Sequence, residues 1–341
     1  MNKFLYITIV ILLFTQCNRH KTNPISGNNI IIAEDSILLD STDILKPYDV
    51  FIQDSLLFFS VSQSPNHVSI LNLNNFNCSD FFERGPGPNQ IINYRRVKND
   101  LSNIFSCMDR SKKIFYTIND NMQIKEEFRM CNEIPNIFNA SPLNDSVIIA
   151  TGIFPHGRIL FYNKHQHTYS YQLNFPETEK TKGMPLTHKA ILHNGTLIQT
   201  HNQKNKFVLI SHGDVEFYLH KDGQPILLKS YKYHEPLFDW KKTGHAISYD
   251  RKSIVGFTNA SSDDEYIYLC YSDKTYEETL LKEKCLFGNK IIVYNWNGDY
   301  ICEYHLDKFV SSITVKNKQL WGISSFGDRL YRFLLFDKSK Q

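Results

Sequence analysis

The clearest pattern of apolar runs around a polar turn lies towards the C-terminal end of the chain, in Ile291–Leu306 (IIVYNWNGDYICEYHL). Two runs rich in aromatic and β-branched residues flank Asn297-Gly298-Asp299, and such runs favour pleated strands. The Asn-Gly pair between them readily adopts the positive φ angles of a tight hairpin turn. This stretch therefore predicts a β-hairpin, with one strand before the turn and an antiparallel strand after it.

The same pattern of strands and turns recurs along the chain, less cleanly. In each repeat an apolar strand, interpreted as the inner strand, precedes a hairpin, so that six units of about four strands fit at a spacing of roughly 48 residues. The predicted pairs are Tyr48–Ser62 with Val68–Phe82, Asn103–Asp109 with Lys113–Phe128, Asp145–Ile153 with Arg158–Leu173, Ala190–His201 with Val215–Tyr231, Tyr266–Ser272 with Ile291–Leu306, and Gln319–Ser325 with Arg329–Phe336. Such recurrence is typical of a β-propeller, whereas a barrel or a sandwich does not need it. We expect an all-β fold, a six-bladed β-propeller of four-stranded antiparallel blades, over residues 30–341.

The two ends of the repeat region complement each other. The sixth unit ends after Phe336, one strand short, and Ile30–Leu39 (IIIAEDSILL) is a strand candidate that belongs to no unit. An unpaired edge strand is a liability that closed architectures remove. We therefore expect the N-terminal strand to pair with the last unit and close the ring.

The first 17 residues have the features of an export signal. Lys3 supplies a positive charge, Phe4–Phe14 is an apolar run, and Cys17 follows shortly after it. As a helix this run would be about 16 Å long, too short for a bilayer core of about 30 Å. A Cys after such a run resembles the bacterial lipoprotein signal, although Gln16 stands where a small residue is usual. Simple secretion with an incidental Cys is the alternative.

This interpretation divides the N-terminal region in two. Residues 1–17 form a lipoprotein signal that ends at the lipidated Cys17, and residues 18–29 form a flexible tether to the propeller. Arg19 and Lys21 follow Cys17, in place of the acidic run linked to surface display in lipoproteins of Bacteroidetes-type bacteria. We therefore expect a protein of the cell envelope, anchored by lipid to the outer membrane and facing the periplasm.

Composition agrees with a β-structure and restricts the partners. The 19 Tyr and 24 Phe favour pleated surfaces. The formal net charge of +3, with both signs interleaved, disfavours nucleic acid as a partner. None of the six cysteines after Cys17 lies in a C-x-x-C pair, and Cys107, Cys270 and Cys302 fall in strand-like runs. We expect mostly reduced, packed thiols, with disulfides of an exported protein as the alternative.

Glu83–Ile91 (ERGPGPNQI) has the most unusual composition in the chain. Its two Gly and two Pro predict a stiff, kinked link between the first two units, with Arg84 inside it and Arg95-Arg96 after it. One interpretation is a loop that presents arginines and backbone N–H groups to an anionic or sugar ligand. The other is a rigid connection whose arginines bond to backbone carbonyls. The Gly spacing matches neither a P-loop nor a dinucleotide fingerprint.

Two segments also carry a resemblance to a known family. Gly85–Ile91 is similar to the G-x-G-P-N-E-F element of Bacteroidetes lipoproteins described as TolB-like six-bladed propellers, with Gln90 in the position of the Glu. Tyr266–Leu269 followed by Lys290–Tyr300 (KIIVYNWNGDY) resembles a second element of that family. The resemblance extends loosely from Ile30 to Phe336. It implies the propeller fold and the lipoprotein setting, but no activity and no catalytic residues.

Histidines and long connections offer further candidate chemistry. Lys232–Ile254, which carries Trp240 and His245, and Lys274–Gly288 are long enough to be functional loops, or else solvated excursions. His165-Gln166-His167 has the spacing of metal ligands, but it falls on a predicted exposed turn and needs further ligands. Because propellers gather one residue per blade at the central channel, a composite metal site remains open for His156, His188, His193, His201 and His245.

These features favour a binding or interaction module over an enzyme. The chain has no G-x-S-x-G element and no recognisable Cys nucleophile, so no catalytic residue and no cofactor are assigned. The expected partner is an envelope protein or a carbohydrate, bound at one mouth of the channel. The alternatives are a metal-assisted hydrolase or lyase that acts on a sugar or lactone, and a scaffold for an envelope complex. The residues expected at the binding surface are Arg84, Asn89, Arg95, Arg96, Trp240 and His245.

Overall fold

The computed structural model describes residues 30–42, 44–88, 90–97, 105–119, 121–193, 196–199, 205–241, 246–282 and 287–335. In this part of the chain, antiparallel strands form six four-stranded blades whose first strands lie next to one another around a central channel. The predicted six-bladed propeller is therefore confirmed. The helices in the same residues include none that is long and apolar enough to cross a membrane.

The first three blades each consist of four consecutive strands, in order from the channel outwards. Blade 1 contains β3–β6: Pro47–Gln53, Leu56–Val61, Asn66–Asn72 and Cys78–Glu83. Blade 2 contains β7–β10: Tyr94–Arg96, Phe105–Asp109, Ile114–Ile118 and Ile124–Arg129. Blade 3 contains β11–β14: Ile137–Pro142, Val147–Gly152, Ile159–Asn163 and Thr168–Gln172.

The last three blades follow the same order, with one strand shared between two blades. Blade 4 contains β15–β18: Thr196–Gln199, Lys206–Ile210, Asp214–Lys221 and Gln224–Lys232. Blade 5 contains β21–β23 and the first half of β24: Ile254–Ser262, Tyr266–Thr275, Gly288–Asn295 and Tyr300–Lys316. Blade 6 contains the second half of β24, then β25 (Gln319–Ser324), β26 (Arg329–Leu334) and, outermost, β2 (Asp35–Leu38).

The N-terminal segment contributes two short strands. β2 pairs antiparallel with β26, with Asp35 opposite Arg332, so that a strand from the start of the chain lies beside the last one. β1 (Ile30–Ile31) pairs instead in parallel with β24, opposite His305 and Leu306. The predicted strand Ile30–Leu39 is thus two strands with different partners, and only the second of them extends blade 6. A 3₁₀ turn, Leu39–Thr42, then leads into blade 1.

The core lies between neighbouring blades. The second strand of a blade is buried on both faces, so its sequence is mostly apolar, as in Leu56–Val61 (LLFFSV). The predicted hairpin of blade 5 is present, and its Trp296 packs between blades 4 and 5 with Phe217 and Tyr294. Trp296 is 3% exposed, and its indole N–H donates to the Asp263 carbonyl at 3.0 Å.

Strand positions within a unit differ from the sequence-based expectation. In blade 5 the innermost strand is Ile254–Ser262, and Tyr266–Thr275, which contains the predicted inner strand, comes second. The physical reason is that the innermost strand faces the polar channel and lacks a strong apolar run. In blade 4, Ala190–His201 contains the end of helix α1 (Leu186–Leu192) and then β15, and the strand Lys206–Ile210 was missed.

The longest connections all belong to one end of the propeller. In a blade that runs up and down, the connections between strands two and three, and from strand four to the next blade, emerge at the same end. Helix α1, the small hairpin of β19 (Phe238–Asp239) and β20 (Ser248–Tyr249), helix α2 (Tyr276–Lys282) and the Gly-Pro loop all lie in such connections. Thr275 and Glu278 form a capping box that starts α2. Among the described residues, this end therefore carries most of the irregular structure.

Candidate binding site at the channel mouth

A polar cavity of about 180 Å³ opens where the inner strands begin, at the end that carries the long connections. Its lining comes from five blades: three residues each from blades 1 and 2, two each from blades 3 and 5, and one from blade 6. The polar side chains that line it include Tyr48, Ser60, Arg95, Asn139, Asn259 and Ser311. The cavity is thus a composite of positions that lie far apart in the sequence, as is usual for a propeller channel.

Arg96 and Asp49 form a buried ion pair beneath this cavity. Their side chains are 8% and 13% exposed, and Arg96 Nε and Nη2 donate to the two Asp49 oxygens at 2.6 and 3.1 Å. The Arg96 guanidinium also lies 5.4 Å from the centre of the Phe51 ring. Ser312 donates its hydroxyl to Asp49 at 2.7 Å, which ties blade 6 to the same carboxylate. The pair is therefore neutralised within the protein and joins blades 1, 2 and 6.

Arg95, the neighbouring residue, is in the opposite situation. Successive residues of a strand point to opposite sides, and Arg95 points towards blade 3. Its Nε donates to Asn139 Oδ1 at 2.9 Å, and its side chain is exposed in the cavity. A guanidinium has five N–H donors, so the two terminal amino groups of Arg95 keep four that no described residue accepts. These donors are available to a ligand.

Tyr48 adds a hydroxyl to the same mouth. Desolvation, followed by the Asp49 carboxylate, raises the pKa of Tyr48, while Arg95 and Arg84 lower it. The hydroxyl is consequently protonated at neutral pH and can donate a hydrogen bond. Below it, Ser60 and Tyr94 share a hydrogen bond of 3.0 Å, and the Tyr94 ring stacks on His67. This packing fixes the wall of the cavity.

A second arginine, Arg110, stands close enough to Arg95 to repel it. Burial, followed by the charge of Arg95, lowers the pKa of Arg110. Arg110 Nε and Nη2 both donate to Asn93 Oδ1, at 3.1 and 2.7 Å. The adjacent Asp109 is fully buried and accepts backbone N–H groups, among them that of Ile92 at 2.8 Å. Asp109 thus holds the loop in place, and its carboxylate does not pair with Arg110.

The Gly-Pro loop is held by its own side chains. Gln90 Oε1 accepts the Gly87 N–H at 3.0 Å, and a Cβ at Gly85 would lie 2.1 Å from that oxygen. Lys112 donates to the Gly87 and Gln90 carbonyls, both at 2.7 Å. Only glycine fits position 85, where φ is +153°. The loop is therefore a rigid connection beside the cavity.

The remaining residues expected at the binding surface lie elsewhere or are not described. Arg84 donates to the carbonyls of Ser64 and Val61, at 2.7 and 2.5 Å, which is the backbone-bonding role considered for it. Trp240 lies in the β19–β20 hairpin, where its indole N–H donates to the Lys180 carbonyl and its ring meets His188. Asn89, His245 and the lipidation candidate Cys17 lie outside the described residues.

Of the histidines considered for a composite metal site, His201 and His245 lie outside the described residues. Among the described residues, no group of three or more His, Cys, Asp or Glu side chains is arranged to hold a metal ion. His165 and His167 are both exposed on a turn, and His167 Nδ1 is hydrogen-bonded to the Tyr162 hydroxyl at 2.8 Å. The H-x-H pair therefore belongs to the outer hairpin of blade 3.

Some residues that line the cavity were not predicted from the sequence. Tyr48, Asn139, Asn259 and Ser311 belong to no motif, and each is one polar residue in the innermost strand of a different blade. The available signal was an Asn or Ser inside a predicted strand, where such residues are disfavoured. That signal needed a correct assignment of the innermost strands.

Six four-stranded blades around a channel with a polar mouth define the class of this protein: a six-bladed β-propeller with a candidate ligand site. A family model, described as TolB-like 6-blade propeller-like, matches residues 27–318. The chain therefore belongs to that family, as the motifs in the sequence indicated. No curated protein gives a significant match.

Solved structures from Bacteroides species share the fold. A member of the DUF4221 family from Bacteroides vulgatus is 12% identical, with a TM-score of 0.54, over 89% of this chain and 97% of that one. A Bacteroides fragilis protein thought to be exported is 10% identical, with a TM-score of 0.55, over 92% and 100%. A protein of unknown function from Bacteroides thetaiotaomicron is 7% identical, with a TM-score of 0.53, over 90% and 75%. At these identities the likeness is one of fold alone.

Proposed function

We propose that this protein is an exported, lipid-anchored binding module of the cell envelope, and that it takes a small polar ligand at the channel mouth. The ligand is a carbohydrate or a short part of an envelope protein. The observation that carries this proposal is the cavity itself, in which Arg95 presents N–H donors that no described residue accepts. Pockets with a few converging polar groups are the usual binding sites of proteins, and function depends on such sites more than on the fold.

The envelope setting is supported by two observations. Phe4–Phe14 with Cys17 has the form of a lipoprotein signal, and a structural neighbour from Bacteroides fragilis is thought to be exported. Labelling with radioactive palmitate tests the anchor in cells that express the wild type or Cys17→Ala. We expect label and membrane association for the wild type, and neither for the variant. A labelled Cys17→Ala protein, or an unlabelled wild type, would reject the lipid anchor at Cys17.

Ligand binding is tested with substitutions that fill the cavity. Thr258 and Ser311 line it and are partly exposed, so Thr258→Trp and Ser311→Trp should each block it without disturbing the core. Ser79→Trp, on the exposed outer strand of blade 1, is the matched control. Melting temperatures of the three variants and the wild type, in detergent, are compared across a library of neutral and charged small molecules.

A ligand present at 100 times its Kd stabilises the folded protein by about 2.7 kcal/mol, which is visible as a rise in melting temperature. We expect at least one compound to stabilise the wild type and Ser79→Trp but neither of the two cavity variants. Stabilisation that survives both Thr258→Trp and Ser311→Trp would mean that binding occurs elsewhere, and the proposal would fail.

A further inference from the structure

We infer that the ligand carries a carboxylate or phosphate group, and that the Arg95 guanidinium binds this group at the channel mouth. The inference rests on the proposed function and names the ligand class for the same cavity. It depends on three properties of the described residues: the hydrogen-bond donors that remain, the charges that surround them, and the size of the space.

The donors match an oxyanion. Within the part of the chain that the structure describes, Arg95 is hydrogen-bonded only through Nε, so the N–H groups of its two terminal nitrogens remain for a planar, bidentate contact. Tyr48 supplies a hydroxyl at the same mouth. A guanidinium fork of this kind fits the two oxygens of a carboxylate or phosphate better than it fits a single hydroxyl.

The charges around the cavity are unbalanced. Arg84, Arg110 and Lys112 donate to backbone carbonyls or to the Asn93 amide, and none of them has a carboxylate within ion-pair distance among the described residues. The carboxylates of Asp49 and Asp109 lie near these cations, but both are already engaged within the protein. Asp49 is neutralised by Arg96, and Asp109 accepts several backbone N–H groups.

The guanidinium groups of Arg84, Arg95 and Arg110 lie close enough to the mouth for their positive charges to act on it. Burial and then the charge of Arg95 lower the pKa of Arg110, and Arg95 and Arg84 partly offset the burial that raises the pKa of Tyr48. These positive charges therefore act on the same mouth. An anion bound at Arg95 would relieve this repulsion, whereas a neutral ligand would leave it in place. The field therefore discriminates between ligands of equal shape.

The size of the cavity limits the ligand. Pockets for drug-sized molecules measure about 300–1,000 Å³, and this one measures about 180 Å³. The bound portion is consequently a single sugar ring or a group of similar size. A longer molecule enters with its charged end.

Three probes separate charge from shape. Glucuronate, glucose 6-phosphate and glucose share one ring and differ at a single position. Their affinities for the full-length protein in detergent are measured by titration calorimetry at low and at high salt. We expect glucuronate or glucose 6-phosphate to bind at least ten times more tightly than glucose, and to lose affinity as salt screens the charges. The stronger of the two identifies the anionic group.

Variants of Arg95 test whether its guanidinium binds the anionic group. A hydrogen bond to a charged group contributes enough that its loss changes affinity about 10- to 100-fold, so Arg95→Gln should weaken the anion by that factor and leave glucose unchanged. Arg95→Lys keeps the charge and loses the fork, so we expect an intermediate affinity. Arg129→Gln removes an exposed arginine from the outer strand of blade 2 and should change nothing.

The two proposals fail in different ways. If glucose binds as tightly as the anions and Ser311→Trp abolishes binding, the cavity is a ligand site but the anionic class is wrong. If neither anion binds at millimolar concentration, the anionic class is rejected, while the library measurement still decides on the cavity. If the anions bind equally to wild type, Arg95→Gln and Arg95→Lys, they bind elsewhere, and the inference is overturned.

Discussion

Arg95 and Arg96 are adjacent in the sequence and have opposite roles in the structure. Arg96 points towards blade 1, where Asp49 neutralises it in a buried pair. Arg95 points towards blade 3, where the Asn139 amide is the one acceptor that it meets among the described residues. Residue type cannot distinguish them, because both are arginines on the same short strand. The difference lies in what the neighbouring blades present to each face.

The buried pair predicts a large cost for removing its acid. Asp49→Ala leaves Arg96, 8% exposed, without a counter-charge, and such changes destabilise a protein by about 3–5 kcal/mol. Asp54→Ala is the matched control, because Asp54 pairs with Lys316 while 79% exposed, and exposed pairs contribute about 0–1 kcal/mol. Urea denaturation measures both free energies of unfolding. Equal small losses would contradict a structural role for the Arg96–Asp49 pair.

Two partly buried histidines predict a dependence of stability on pH. Burial, with Arg158 and Lys189 nearby, lowers the pKa of His193 to about 3, and burial, with His212 nearby, lowers that of His234 to about 4. In the unfolded chain both titrate near 6.5. Below that pH the unfolded state therefore binds more protons, so stability is lost as the pH falls from 6.5 towards 4.

The double variant His193→Gln, His234→Gln should accordingly lose less stability than the wild type between pH 7 and pH 5. His165→Gln, at an exposed turn, should keep the wild-type dependence. Unfolding free energies measured at several pH values test this. A dependence that the double variant leaves unchanged would mean that other groups cause it.

At the scale of elements, hairpins were easier to predict than inner strands. The blade 5 hairpin carries its own turn chemistry, since Asn295 Oδ1 accepts the N–H groups of Asn297 and Asp299, and Gly298 has φ +80°. The innermost strands carry no such signal. Ile254–Ser262 ends in Asn-Ala-Ser-Ser because it faces the channel, and it therefore reads as a loop. Their side-chain bonds, such as Asn259 Oδ1 accepting from Ile313 N–H, join one blade to the next.

The blade 5 hairpin gives a prediction for its tryptophan. Trp296→Phe removes the indole N–H that donates to the partly buried Asp263 carbonyl and leaves a smaller ring at a site that is 3% exposed, so we expect a loss of about 1–3 kcal/mol. Trp240→Phe, in the partly exposed β19–β20 hairpin, should cost less than about 1 kcal/mol. Chemical denaturation measures the two changes. A greater loss for Trp240→Phe would contradict the assignment of Trp296 to the structural core.

For the whole molecule, repetition made the fold predictable from sequence, whereas the site has no repeat. Six units of similar order specify a propeller even when single strands are misassigned. The cavity is assembled from one to three residues of each of five blades, and no local pattern joins Tyr48, Asn139 and Ser311. Of the proposed site, the sequence indicated Arg95 and Arg96, because they follow an unusual loop. The contribution of the other blades depends on how the ring brings distant strands together.

The pairing of β2 with β26 predicts which N-terminal residue supports the fold. Leu39 is fully buried against blades 6 and 1, so Leu39→Ala should cost about 2–5 kcal/mol. The adjacent Leu38 is 43% exposed, and Leu38→Ala should change the free energy of unfolding by less than about 1 kcal/mol. If denaturation shows equal effects, the segment does not pack onto the last blade as described.

The central proposal is that this protein recognises its ligand at the channel mouth. A crystal structure of the protein grown with glucuronate tests this most directly. We predict density for the sugar acid in the cavity, with its carboxylate within hydrogen-bond distance of the Arg95 terminal nitrogens and the Tyr48 hydroxyl. Density for the probe at another surface, with the cavity holding only water, would contradict the account.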